Sequence, residues 1–203
     1  MESRATGKLY AAKTFNKEIV SATSKAHAKV ILTFSIKRIN LLQQAALINE
    51  IEIMRSLNHE NIIRLYYVFE TEKYVYLVME LVQGKPLQDV LKKTNFVMND
   101  WSETRVMETI RSILDALSYI KSKGLMHRDL KPGNMLLEKT GGRIKIIDFG
   151  LATQISASDY LFKKCGTPGY IAPEVFKYDS KIPSTNYDDK CDVFSAGCIF
   201  FYM

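Results

Sequence analysis

The side chains best suited to chemistry lie in one short stretch, Gly124 to Asn134. Asp129, Lys131 and Asn134 place a carboxylate, an ammonium and a carboxamide within six residues, and Pro132-Gly133 interrupts the segment between them. A carboxylate can accept the proton of an alcohol, and carboxamide and carboxylate oxygens are ligands for a hard cation such as Mg²⁺. We therefore predict a catalytic loop for metal-assisted phosphoryl transfer.

Two further motifs follow this loop along the chain, Asp148-Phe149-Gly150 and Ala172-Pro173-Glu174. The three motifs, in this order, resemble those of the eukaryotic protein kinases. The resemblance implies an α+β, bilobal protein-kinase-like fold with a small β-rich lobe and a mainly helical large lobe. It also implies an ATP-dependent enzyme that phosphorylates proteins, with ATP and Mg²⁺ as cofactors.

The resemblance assigns roles to the polar residues of these motifs. Asp129 would accept the proton of a substrate hydroxyl, and Lys131 would lie near the γ-phosphoryl group. Asn134 and Asp148 would be the metal ligands. Lys131 together with Thr167, ahead of the third motif, is typical of serine/threonine kinases, so we expect protein serine and threonine hydroxyls as substrates.

An ATP-binding lysine is expected in an N-terminal strand. Lys13 follows two alanines in the strand-like run 9–15, and the resemblance implies that it binds the α- and β-phosphates. Its expected partner is Glu50, on a helix. Lys37, at the end of a second strand-like run, is the rival, but only thirteen residues separate it from Glu50. An exposed strand lysine and a solvated helix glutamate are the plainer interpretations of the pair.

The adenine site is implied by the same resemblance. Backbone groups near Glu80 and Val82 would bind the adenine edge, and Met79 would face the back of the pocket. Ala11 and Leu136 would pack on the adenine.

Apolar periodicity predicts the elements that position these groups. One stripe recurs at spacings of three and four, at Leu47, Ile51, Met54 and Leu57. It predicts an amphipathic helix from Ala45 to Leu57, with Glu50 beside the stripe. Two strands, at 61–69 and 74–79, follow with a polar connection between them.

The second half of the chain carries helix signals. A short helix is predicted at 86–93, and Asp100 with Glu103 is predicted to form a capping box that opens a longer one. Gly124 is predicted to end that longer helix. Gly141-Gly142 then marks a turn, which predicts a hairpin that carries Asn134 and Asp148 on neighbouring strands.

We predict two partial lobes. Residues 1–83 would form the N-terminal lobe, with an insertion near 30–44, and residues 84–203 the C-terminal lobe, ending in its central helix. No glycine-rich phosphate loop precedes Lys13, so we expect an incomplete domain whose isolated chain has little activity. The alternative function is a catalytically inactive kinase-like binding or regulatory fragment. The enzyme is favoured by the presence of five residues: Lys13, Glu50, Asp129, Asn134 and Asp148.

Composition excludes several classes of protein. The chain has 203 residues, 47% of them hydrophobic, and a net charge of +6 spread without a basic block, so neither nucleic acid nor membrane is an expected partner. An odd count of three cysteines, without metal-binding spacing, is typical of reduced thiols. With no signal pattern at the N-terminus, the expected location is cytoplasmic.

Regulation is the least regular feature. Arg128 usually pairs with a phosphorylated residue in the family, but Lys163 occupies that place. Control through Ser156, Ser158 or Tyr160, or through no phosphate, therefore stays open. The run 160–165 resembles calcium/calmodulin-dependent kinases, which adds a calcium-linked regulator to the expected partners.

Overall fold

The computed structural model describes residues 1–3, 7–17, 41–93, 102–139, 143–157, 160–179, 181–182 and 186–203. The first part of the chain forms a three-stranded antiparallel sheet of β1 (Ala11–Asn16), β2 (Leu65–Glu70) and β3 (Tyr74–Met79), in the order β1-β3-β2. Because β3 is central, its side chains are the most buried of the three strands. The two strands predicted after the first helix are thus present; β3 has the predicted bounds, whereas β2 begins at Leu65, four residues later than predicted.

Helix α1 (Leu41–Ser56) confirms the predicted amphipathic helix and begins four residues before the expected Ala45. Its buried residues follow the predicted spacing, with Leu47, Ile51 and Met54 each at most 2% exposed. Residues 41–44 of the predicted insertion therefore belong to the helix, and the rest of that insertion lies outside the described residues.

The larger part of the fold contains the helices α2 (Leu87–Lys93), α3 (Glu103–Ser122), α4 (Pro173–Lys177) and α5 (Lys190–Tyr202). A second antiparallel sheet joins β4 (Gly84–Pro86), β6 (Met135–Glu138) and β7 (Ile144–Ile146), and β5 (Leu125–Met126) pairs with β8 (Thr153–Gln154). A 3₁₀ turn at Pro132–Asn134 leads into β6. The β6–β7 pair is the predicted hairpin; its glycine turn lies outside the described residues. No helix in the described parts of the chain is long and apolar enough to cross a membrane.

The ends of α3 partly match the prediction. The helix is capped by Ser102, whose hydroxyl accepts a hydrogen bond from the backbone N–H of Arg105 at 3.3 Å. The predicted capping box is wrong, because Glu103 is the first helical residue rather than the third, and Asp100 lies outside the described residues. Gly124 does end the helix, with φ +70° and its N–H bonded to the carbonyl of Lys121.

One hydrophobic core connects the small sheet, α1, α3 and the β6–β7 pair. Below it, the buried carboxylate of Asp192 accepts hydrogen bonds from the backbone N–H groups of His127 at 2.6 Å and Arg128 at 2.7 Å. The His127 ring packs edge-on against Phe149 at 4.9 Å. These contacts give His127 a structural role and fix the catalytic loop on α5.

His127 also predicts a pH dependence of stability. Burial lowers the pKa of His127, and the carboxylates of Asp192, Asp129 and Asp148 oppose this only in part, so the folded protein holds a neutral ring. Below the ordinary value of 6.5 the unfolded chain binds a proton that the folded protein excludes. This contribution to the free energy of unfolding is therefore present above pH 6.5 and is lost as the pH falls, by at most about 1.4 kcal/mol per pH unit.

We expect the His127→Phe variant to show a flatter dependence of unfolding free energy on pH between about pH 5 and pH 7, measured by urea denaturation. Ile146→Val, which shortens a buried side chain of the same core and changes no titratable group, is the control and should keep the wild-type slope. Equal slopes for wild type and His127→Phe would contradict the assignment.

Candidate active site

A cavity of about 420 Å³ lies between the small sheet and the β6–β7 pair. It brings together eight of the residues singled out from the sequence: Ala11, Lys13, Met79, Glu80, Val82, Asn134, Leu136 and Asp148. The cavity is also lined by four residues that the sequence analysis did not identify: Ala12, Ile63, Leu81 and Ile147. Leu81 and Ile147 could have been found from their places beside Glu80 and Asp148, whereas Ile63 carries no local signal.

Lys13 is the centre of an ion-pair triad at one end of this cavity. Its Nζ lies 2.7 Å from Oε1 of Glu50 on α1 and 3.0 Å from Oδ1 of Asp148. The Glu50 side chain is only 5% exposed, and it lines an adjoining cavity of about 470 Å³. Lys37 lies outside the described residues, so the structure gives the strand lysine of the triad as Lys13.

The electrostatics of the triad keep a positive charge at Lys13. Burial alone lowers the pKa of Lys13, but attraction and hydrogen bonding to Glu50 and Asp148 outweigh it, so the net pKa is raised. Burial raises the pKa of the Glu50 carboxyl more than Lys13 lowers it. For Asp148 burial is outweighed by Lys13 and by the N–H of Gly150, and its pKa is lowered. The carboxylate that faces the cavity is therefore ionised at neutral pH.

Asp129 lies on the catalytic loop at the junction of three side chains. Its Oδ1 accepts a 2.6 Å hydrogen bond from the Thr167 hydroxyl, and Oδ2 lies 3.0 Å from Nζ of Lys131. Lys131 also donates to Thr167 at 2.6 Å. An alcohol thus already occupies the position from which a hydroxyl donates to this carboxylate, so the loop geometry suits proton acceptance from an alcohol.

Asn134 connects the two parts of the site. Its Nδ2 donates to the backbone carbonyl and to Oδ2 of Asp129, both at 2.9 Å. Asn134 also lines the cavity, together with Lys13 and Asp148. Because both N–H groups of the amide are used, the carboxamide oxygen remains as the ligand atom.

The donor chemistry of Asn134 and Asp148 fits Mg²⁺, which takes few protein oxygens and otherwise phosphates and water. No cluster of three or more His, Cys, Asp or Glu side chains able to hold a metal occurs among the residues that the structure describes.

The connection after β3 is held by an ion pair that the sequence did not reveal. Nζ of Lys145, on β7, lies 2.9 Å from the carboxylate of Glu80, and the backbone N–H of Glu80 donates to the carbonyl of Arg64. Glu80 therefore reaches the cavity without offering it an uncompensated charge. The predicted adenine contacts through Glu80, Val82 and Met79 remain predictions, with all three residues at the cavity wall.

Comparison with known proteins gives consistent results. The family model described as "Protein kinase domain" matches residues 2–203. A probable myosin light chain kinase of Dictyostelium discoideum is 37% identical over 90% of this chain and 55% of its own length. The serine/threonine-protein kinase cds1 of Schizosaccharomyces pombe is 35% identical over 98% of this chain and 39% of its own. Calcium-dependent protein kinase 5 of Plasmodium berghei is 38% identical over 91% of this chain and 31% of its own length. The chain thus spans between 31% and 55% of the length of these relatives.

Proposed function

Since the chain belongs to the protein kinase domain family, we propose that it transfers the γ-phosphoryl group of ATP to serine and threonine hydroxyls of proteins, with Mg²⁺ as the metal. The observation that carries this proposal is the bond from the Thr167 hydroxyl to Asp129, beside Lys131. It shows an alcohol, a proton acceptor and an ammonium within hydrogen-bonding distance of one another. The Schizosaccharomyces pombe relative, named as a serine/threonine-protein kinase, supports the same specificity.

The chain's own residues divide the work of this reaction. Asp129 accepts the proton of the substrate hydroxyl. The hydroxyl oxygen forms the new bond to the γ-phosphorus, and the bond from that phosphorus to the β-phosphate oxygen breaks, giving ADP. Lys131 and Lys13 place positive charge beside the transferred and the remaining phosphates. Mg²⁺, when bound, would be held by Asn134 and Asp148 and would neutralise phosphate charge.

The proposal is tested with the full-length gene product, γ-labelled ATP and matched peptide libraries that differ only in offering serine, threonine or tyrosine. We expect labelling of serine and threonine peptides, and chelation of divalent cations should lower the rate on the order of a thousandfold. Restored Mg²⁺ should restore the rate. Labelling of tyrosine alone, or labelling that survives chelation, would contradict the proposal.

The intact triad of Lys13, Glu50 and Asp148 favours an enzyme over the inactive alternative, because an inactive domain has no need to keep all three charges paired. We further propose a calcium-linked regulator of this chain, supported by the similarity to a Plasmodium relative named as a calcium-dependent protein kinase. A cytoplasmic location is likewise proposed, supported by the free thiols of the three cysteines.

A further inference from the structure

Arg128 is a buried cation that the phosphotransfer chemistry leaves without a task. It is 6% exposed, directly precedes Asp129 and adopts a left-handed backbone with φ 68°. A guanidinium removed from water is costly unless its N–H groups find acceptors. The partners of Arg128 therefore indicate what the surrounding structure is built to hold.

All three side-chain hydrogen bonds described for Arg128 go to neutral oxygens. Nε donates to the carbonyl of Leu151 at 2.8 Å, and Nη1 donates to the carbonyl of Phe162 at 2.7 Å and to the Tyr187 hydroxyl at 2.9 Å. The guanidinium carbon also lies 5.1 Å from the centre of the Tyr160 ring, a cation–π distance. Arg128 thus binds the start and the middle of the activation segment, residues 148–174, and one residue beyond it.

Tyr187 continues this connection. Its hydroxyl accepts from Arg128 and donates to the backbone carbonyl of Lys163 at 3.1 Å, and the residue is 5% exposed. The ring lies 5.1 Å from that of Tyr160 and 5.5 Å from that of Tyr178, and the Tyr160 hydroxyl donates to the Tyr187 carbonyl. Burial raises the pKa of Tyr187 to about 12, so the hydroxyl stays neutral and can donate at any physiological pH.

Two further contacts place negative charge density near Arg128. The buried carboxylate of Asp192 accepts from its backbone N–H at 2.7 Å, and the Tyr160 face adds a favourable electrostatic contact. The segment is also packed closely against the loop, since a side chain at Gly166 would lie 2.9 Å from the Arg128 carbonyl oxygen.

We propose that Tyr187 is a positioning residue that links Arg128 to Lys163 and so holds the activation segment against the catalytic loop in the absence of a phosphate. Its neutral hydroxyl binds the guanidinium and the segment at once. The sequence left open whether a phosphate on Ser156, Ser158 or Tyr160 orders the segment or whether none is needed, and this contact orders it without one. The consequence for phosphotransfer rests on the proposed function: the held segment carries Thr167, which contacts Asp129.

The test compares wild type, Tyr187→Phe and Tyr178→Phe in the full-length protein after phosphatase treatment, with removal of phosphate checked by intact mass. Tyr178 is the matched control because it is 4% exposed and belongs to the same ring cluster, while the described hydrogen bonds of Arg128 include Tyr187 and not Tyr178. Trypsin reports the segment directly, since Lys163 and Lys164 are cleavage sites within it.

We expect slow cleavage after Lys163 and Lys164 in dephosphorylated wild type and Tyr178→Phe, and roughly tenfold faster cleavage in Tyr187→Phe. kcat of Tyr187→Phe should fall by about the same factor, with affinity for a non-hydrolysable ATP analogue within about twofold of wild type. Unchanged ATP affinity separates positioning from loss of fold, because Tyr187 does not line the ATP cavity.

Three results would overturn the proposal. They are equal cleavage rates in wild type and Tyr187→Phe, fast cleavage of dephosphorylated wild type, and a Tyr187→Phe variant that loses ATP-analogue binding as well as protection of the segment from trypsin. The trypsin measurement needs no catalysis. An inactive wild type with a protected segment would therefore refute the proposed function and leave the role of Tyr187 standing.

Discussion

The Asp129→Asn variant is expected to retain ATP binding and to lose about 10²- to 10⁴-fold in kcat, the contribution typical of a general base. Asparagine has the shape of aspartate but cannot accept the hydroxyl proton. Its amide would also have to face two donors, because Oδ2 of Asp129 is near Nζ of Lys131 and accepts from Nδ2 of Asn134. The new side chain therefore removes the acceptor and disturbs the groups around it.

Two measurements on the full-length protein separate these effects. Single-turnover transfer to a serine peptide reports the chemical step, and titration with a non-hydrolysable ATP analogue reports the cavity, which Asp129 does not line. Asp115→Asn makes the same change at an exposed carboxylate on α3 and should leave both values within about twofold of wild type. A kcat within about threefold of wild type for Asp129→Asn would exclude proton transfer to this carboxylate as an important step.

The parts of the site that could be predicted are those with local signals. Asp129, Lys131 and Asn134 lie within six residues, and Asp148 ends a short apolar strand, so residue type and spacing were informative. The Lys13–Glu50 pair spans 37 residues, and it could be anticipated only by combining the resemblance with the helical stripe.

The contacts that could not be predicted join distant residues without a local pattern. Tyr187 meets Arg128 across 59 residues, and Lys145 meets Glu80 across 65. Neither tyrosine nor lysine has a spacing that distinguishes such a contact from ordinary burial or solvation. The early start of α1 was missed for another reason, since residues 41–44 read Leu-Leu-Gln-Gln, a stretch too short to show helical periodicity of its own.

The site's chemistry also depends on two neighbouring residues, one of which is charged at neutral pH and one of which is neutral. Lys13 and the N–H of Gly150 together outweigh the effect of burial on Asp148, so its pKa is lowered and it is ionised. At His127, one contact away through Phe149, burial dominates, so the pKa is lowered and the ring is neutral. The same core thus supplies a fixed negative charge toward the cavity and an uncharged support behind it. Of the two side chains, Asp148 is the one that lines the cavity.

Removing that charge should produce the second large effect. In Asp148→Asn we expect the Mg²⁺ concentration for half-maximal activity to rise by at least about tenfold and kcat to fall on the order of a thousandfold, because an amide oxygen is a much weaker ligand for Mg²⁺ than a carboxylate. Initial rates across a Mg²⁺ titration at saturating ATP measure both quantities. Asp89→Asn, an equivalent change in the first turn of α2, is the control and should follow the wild-type titration.

The shape of the titration distinguishes metal binding from disruption of the triad. Asp148 also accepts from Lys13 at 3.0 Å, so its loss could act by freeing the lysine, but Lys13 keeps Glu50 at 2.7 Å in either case. A variant that lost activity with an unchanged Mg²⁺ midpoint would therefore assign the metal elsewhere and leave Asp148 as a partner of Lys13. A shifted midpoint assigns the metal to Asp148, because Lys13, as a cation, cannot bind it.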